Sequence, residues 1–137
     1  MEKSCGIILF YSEDFLLIQH PTVSNEMEGH WDFPKGHIEE NETELETAAR
    51  ELKEETGIDD FRLIDNFRHK ITYDVNKNGR SNPKEVILFL AESYTKVVEL
   101  SSEHQNYNWS NFDLSYARLT YDNAKEALVK AKSFLEK

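Results

Sequence analysis

The chain has 137 residues, 26 acids against 16 bases, a net charge of −10 and a single cysteine, Cys5. That length suits one domain spanning residues 1–137, and a lone thiol excludes an intramolecular disulfide scaffold, so a reducing, cytoplasmic setting is expected. The acidic balance argues against nucleic acid and anionic membranes as partners, and no apolar run approaches the roughly 20 residues of a membrane span.

In chain order, residues 4–11 and 15–20 predict two strands joined at Ser12-Glu13-Asp14. Residues 21–29 read as a polar loop, Trp31-Asp32-Phe33 as a short extended piece ending at Pro34, and 35–41 as a second loop. A helix is predicted over 43–56, stopped by Gly57 as a glycine C-cap. Residues 61–73 hold one or two strands. Residues 74–84 contain Asn78-Gly79 and Asn82-Pro83 and read as a turn or mobile loop. The clearest buried strand is 85–94; 104–109 is a further strand and 111–117 a short helix. The last helix, 121–135, has an apolar face of Tyr121, Ala124, Leu128, Ala131 and Leu135. Strands before, between and after two main helices predict an α/β (α+β) sandwich, a mixed sheet with a helix packed on each face.

Eight glutamates fall between Glu39 and Glu55. On a wheel of 100° per residue with Glu51 at zero, Glu55 lies at about 40° and Glu54 at about −60°. Leu45, Ala48, Ala49, Leu52 and Thr56 fall at about 60° to 160°, which is the core face. The three carboxylates therefore sit beside the core edge, where the helix meets the sheet. Like charges at these spacings destabilise a helix by themselves. They become favourable when a hard cation binds between them, and Mg²⁺ or Mn²⁺ takes oxygen ligands of this kind. The plain alternative is a solvated acidic face.

The residues around them decide the matter. Gly36 is followed by Glu42, then by Arg50-Glu51-Leu52, Glu54-Glu55 and Gly57-Ile58. The spacing glycine-x5-glutamate-x7-arginine-glutamate-aliphatic-x-glutamate-glutamate-x-glycine-aliphatic resembles the Nudix box at every defined position. The resemblance implies a Nudix hydrolase that cleaves a nucleoside diphosphate linked to another group. It implies Glu51, Glu54 and Glu55 as metal ligands and Arg50 as their brace. Glu42 would support the loop–helix geometry, and Gly36 would permit a sharp loop. The chemistry is coherent: cations neutralise a phosphoanhydride and lower the pKa of a bound water, and the protein positions.

The flanks speak to substrate. Cys5-Gly6-Ile7-Ile8-Leu9-Phe10, His30-Trp31-Asp32-Phe33-Pro34-Lys35-Gly36-His37, Lys84-Glu85-Val86 and Ser102-Glu103-His104-Gln105 resemble the asymmetrical diadenosine tetraphosphate hydrolase branch of that family, in its animal and archaeal form. This implies a small-molecule dinucleoside polyphosphate as partner and ATP and AMP as products. A monomer is expected. Lys35, His30, His37 and Lys84 are expected to contact phosphates. Tyr73 and Tyr121 are expected to stack on bases, although a tyrosine opening an amphipathic helix also packs well in a core. Glu103 is expected to act as a metal ligand or as base for the attacking water, against the plain reading of an exposed loop acid. Lys77 and Arg80 read as solvated loop cations, with closure over the substrate as the alternative, and Trp31 and Trp109 as core. Competing readings are an RNA 5′-end pyrophosphohydrolase, another nucleoside-diphosphate hydrolase such as one for nucleotide sugars or mutagenic triphosphates, and a nucleotide-sensing module without catalysis. The complete set of box glutamates argues against the last.

Overall fold

The two most apolar runs of the sequence lie side by side. In the computed structural model, which describes residues 2–21 and 29–137, β1 (Glu2–Tyr11) and β7 (Arg80–Ser93) pair in parallel from Glu2↔Lys84 to Phe10↔Glu92. Parallel strands buried on both faces are expected to read as unbroken apolar runs. The polar loop expected over 21–29 falls almost wholly outside the described residues.

The other pairings are antiparallel. β2 (Asp14–Gln19) joins β1 at Phe10↔Phe15, and β3 (Trp31–Asp32) and β8 (Asn106–Ser110) both pair with β2. β4 (Lys35–His37) joins β1 through Cys5↔Gly36, while β5 (Phe61–Leu63) and β6 (His69–Lys77) pair with β7. Among the described residues the result is a mixed, eight-stranded sheet.

Alternation along the central strands divides the core. Cys5, Ile7, Leu9, Ile87 and Ala91 face Ala48 and Leu52 of α1 (Glu44–Thr56). Ile8, Phe10, Val86, Leu88 and Leu90 face Ala124, Ala127, Leu128 and Ala131 of α3 (Asp122–Leu135). The buried face of α3 is made mostly of alanines. A short α2 (Phe112–Arg118) precedes it. The predicted sandwich with a helix on each face is thus present. Trp31 packs on the α3 side and Trp109 on the α1 side.

Three expectations are corrected. Residues 35–37 form a strand rather than part of a loop, because β1 extends beyond β2 and leaves an edge for them. Residues 74–84 are no mobile loop. The β6–β7 ladder continues through Asp74↔Pro83 to Lys77↔Arg80 and closes on Asn78 and Gly79, both at positive φ (53° and 74°). Asn-Gly is the strongest two-residue hairpin signal, and a proline is tolerated where its missing donor is not needed by a neighbour. Tyr121 is not on the buried face of the last helix; it is its N-cap residue and is exposed.

Candidate active site

Helix α1 is built to hold its acids in place. Thr43 accepts from the Glu46 N–H at 3.1 Å, and Glu46 accepts from the Thr43 N–H at 2.8 Å, so two orphan donors are satisfied reciprocally. The helix ends at Gly57 in the left-handed region, φ 77°, which a side chain would strain. Arg50 then binds the charges together. Its Nε donates to Glu42 Oε2 at 2.7 Å and its Nη2 to Glu42 Oε1 at 3.0 Å. Its Nη1 donates to Glu51 at 3.0 Å and to Glu54 at 3.3 Å, and its Nη2 to the His37 carbonyl at 3.0 Å. Arg50, followed by Thr47, holds the Glu42 carboxyl down at about 2. A planar guanidinium suits such multiple recognition.

Glu55 and Glu51 face each other. Glu55 is 7% exposed and accepts the Lys35 N–H at 3.1 Å. Burial first, then its hydrogen bond and charge contact with Glu51, push the Glu55 carboxyl well above the usual range. Two acids that share a proton are a natural seat for a divalent cation, which satisfies both oxygens without one. Gly36 makes their approach possible. A Cβ on it would collide with the Glu51 carboxylate. The glycine is needed for this close approach inside β4, not for the sharp loop expected. Among the described residues, no three histidine, cysteine or acidic side chains already converge as a finished metal site. The donor set, hard oxygens around a glycine cradle, fits such an ion.

The segment before β8 reaches the same helix end. The Glu99 N–H donates to the Thr56 carbonyl at 2.8 Å and the Ser101 N–H to the Glu55 carbonyl at 3.0 Å. Glu103 follows two residues later, exposed, and the field of Glu51 reaches the neighbouring His104.

On the other side of β4 lies a cleft of about 490 Å³ between the sheet and the start of α3. His30, Lys35, Tyr73, Lys84 and Tyr121 all line it. Lys35 joins the two halves: its side chain enters the cleft while its N–H holds Glu55. Both lysines are paired with acids, Lys35 with Asp32 at 3.6 Å and Lys84 with Glu2 at 3.0 Å. His37 is not in the cleft; its ring is 3.9 Å from Glu2 and largely exposed. Arg80 is exposed at the hairpin tip, and the Lys77 side chain lies outside the described residues.

Two features escape a sequence reading. Asp32, nearly buried, lines the cleft. A column of rings also forms beside it: His104 against His20 (centroids 4.8 Å), His20 stacked on His30 (4.0 Å, 15°), and His30 against Tyr121 (5.3 Å). No spacing announces this, since the residues lie on separate parts of the chain.

Residues 2–131 match the model of the NUDIX domain. The chain belongs to the Nudix family. It is 35% identical to the asymmetrical bis(5′-nucleosyl)-tetraphosphatase of Rattus norvegicus, over 97% of this chain and 95% of that one. The solved structure of a Caenorhabditis elegans Ap4A hydrolase binary complex superposes with a TM-score of 0.85 at 29% identity, covering 99% and 98% of the two chains. An RNA pyrophosphohydrolase of Helicobacter pylori is 42% identical over 53 residues, only 39% of this chain and 34% of that one.

Proposed function

We propose that the protein is an asymmetrical bis(5′-nucleosyl)-tetraphosphatase that hydrolyses diadenosine tetraphosphate to ATP and AMP. The observation that carries this is the cleft. It offers cations for phosphates, tyrosines for bases, and a wall whose backbone holds the buried acid of α1. The near end-to-end likeness to a tetraphosphatase supports the substrate. An RNA substrate fits less well, because the net charge is −10 and the likeness to an RNA enzyme is partial.

Glu51, Glu54 and Glu55, joined by Glu103, would hold Mg²⁺, or Mn²⁺ in its place. Such ions neutralise phosphate charge and raise the acidity of bound water. The chain's own residues do the rest. Lys35, Lys84 and His30 bind phosphate oxygens, and the two lysines exchange Asp32 and Glu2 for them. Tyr73 and Tyr121 take bases on their cleft-facing surfaces. The rings of His30 and Tyr121, 5.3 Å apart, leave no room for a base between them. Arg50 keeps the carboxylates aligned. Water oxygen bonds to an off-centre phosphorus, the phosphoanhydride bond beyond it breaks, and a carboxylate takes the water's proton. Glu103 is that base or a further ligand. A buried, unpaired Cys5 fits a cytoplasmic setting; among the described residues no helix is long and apolar enough to cross a membrane. We take the active form to be a monomer.

The test is hydrolysis of diadenosine tetraphosphate in ¹⁸O-water with Mg²⁺, followed by chromatography and mass spectrometry. ATP and AMP in equal amounts, with label in one of them, are expected. ADP as the main first product, or no hydrolysis with either ion, overturns the assignment.

A further inference from the structure

His20 is not in the cleft and not in the box. It directly follows β2 and stacks on His30. Its ring lies almost parallel to that of His30, with centroids 4.0 Å apart, and its N–H donates to the His30 carbonyl at 2.9 Å. The ring of His104 also meets His20, at 4.8 Å and 60°. The ring of His30 meets Tyr121 at 5.3 Å, and both line the cleft. His30 is thus in contact with one ring outside the cleft, which clamps it, and with the ring expected to carry a base.

We infer that His20 is a positioning residue for substrate binding: its stacked ring fixes the orientation of His30 and, through it, the cleft wall shared with Tyr121. Two stacked imidazoles repel each other when both are charged. Burial, then the neighbouring His30, His104 and Lys35, push His20 down to about 4, and burial lowers His30 as well. What the site uses is therefore the flat face of His20. An aromatic ring without titration should replace it, whereas an aliphatic chain of similar bulk should not.

The inference rests on the proposed substrate, so two measurements keep the two apart. The first needs no nucleotide. Ring proton shifts of His30, read by ¹H–¹³C NMR, should move clearly in His20→Ala and His20→Leu through loss of the stacked ring, and far less in His20→Phe. The second is kinetic, with diadenosine tetraphosphate and Mg²⁺. His20→Ala and His20→Leu should raise KM by about two- to twelvefold, the range of one aromatic pair, with kcat unchanged. His20→Phe should keep KM within about twofold of the wild type. In a His30→Ala background, His20→Ala should add nothing further, since His20 acts only through that ring. Failure of the wild type to cleave the substrate, with the NMR pattern as expected, refutes the function and leaves the clamp standing. An unmoved His30 spectrum overturns the clamp. So does an unchanged KM in a folded His20→Leu protein, a fall in kcat alone, or an undiminished effect in the His30→Ala background. If His20→Ala does not fold, the contrast between leucine and phenylalanine decides alone.

Discussion

Glu55 is the most buried acid of α1, with Glu51 as neighbour and a backbone N–H as donor. Without a cation, burial and the neighbouring Glu51 favour its protonated form, so glutamine is close to an isostere of the resting group. Glu55→Gln should therefore melt close to the wild type in metal-free buffer. Its kcat should fall at least about a hundredfold, the scale of a lost electrostatic group. Normal turnover by the folded variant would sink the metal role. Tyr121 makes the opposite case. It is 47% exposed and its side chain makes no cap hydrogen bond. Tyr121→Ala should leave the melting temperature nearly unchanged. One stacked base is worth about 1–3 kcal/mol, so KM should rise about five- to 150-fold with kcat little altered. An unchanged KM with a lower melting temperature would mean that the ring only packs.

At the scale of elements, Glu44 fastens the start of α1 to the sheet. Arg68 donates to both of its oxygens at 2.9 Å, and Lys3 of β1 donates at 2.9 Å. These bonds, Arg68 first and Lys3 next, hold its carboxyl at about 2 instead of 4.5. A lowered acid stabilises the fold above the unfolded value and loses that contribution as pH falls through the folded one. Glu44→Gln should lower the melting temperature by a few degrees at pH 7. The gap should narrow from about pH 4.5 and close near pH 2. Calorimetry across that range checks it; a gap that persists undiminished at pH 2 shows that ionisation is not its origin. α1 itself is legible in the sequence, because Thr43, Glu46 and Gly57 mark its ends and the glutamate spacing survives folding intact. The 74–84 hairpin is less so, since Pro83 argues against a strand that tertiary pairing nevertheless completes. β4 is hidden because three residues carry no periodicity, and the histidine column because only the fold joins its members.

For the whole molecule, a net charge of −10 opposes a polyphosphate substrate until cations intervene. A cation that binds only the folded state raises its stability, by about 2.7 kcal/mol at a hundred times its Kd. Added Mg²⁺ should raise the melting temperature by several degrees. The rise should be much smaller in a Glu51→Gln, Glu55→Gln double variant, which keeps the remaining surface acids. Equal shifts in both proteins would assign the effect to general charge screening.

The parallel ladder of β1 and β7 has a consequence in time. Its partners stand about eighty residues apart along the chain. During synthesis from the N-terminus, β1 leaves the ribosome long before β7 exists. Until then a short, uncharged, β-prone segment, Cys5 to Phe10, has no neighbour on that edge. Distant pairing slows folding, and unpaired apolar edges favour association. Nascent chains arrested before β7 should therefore depend on chaperones more than the finished chain does. The edge of β1 that β7 covers waits for the five strands described between them.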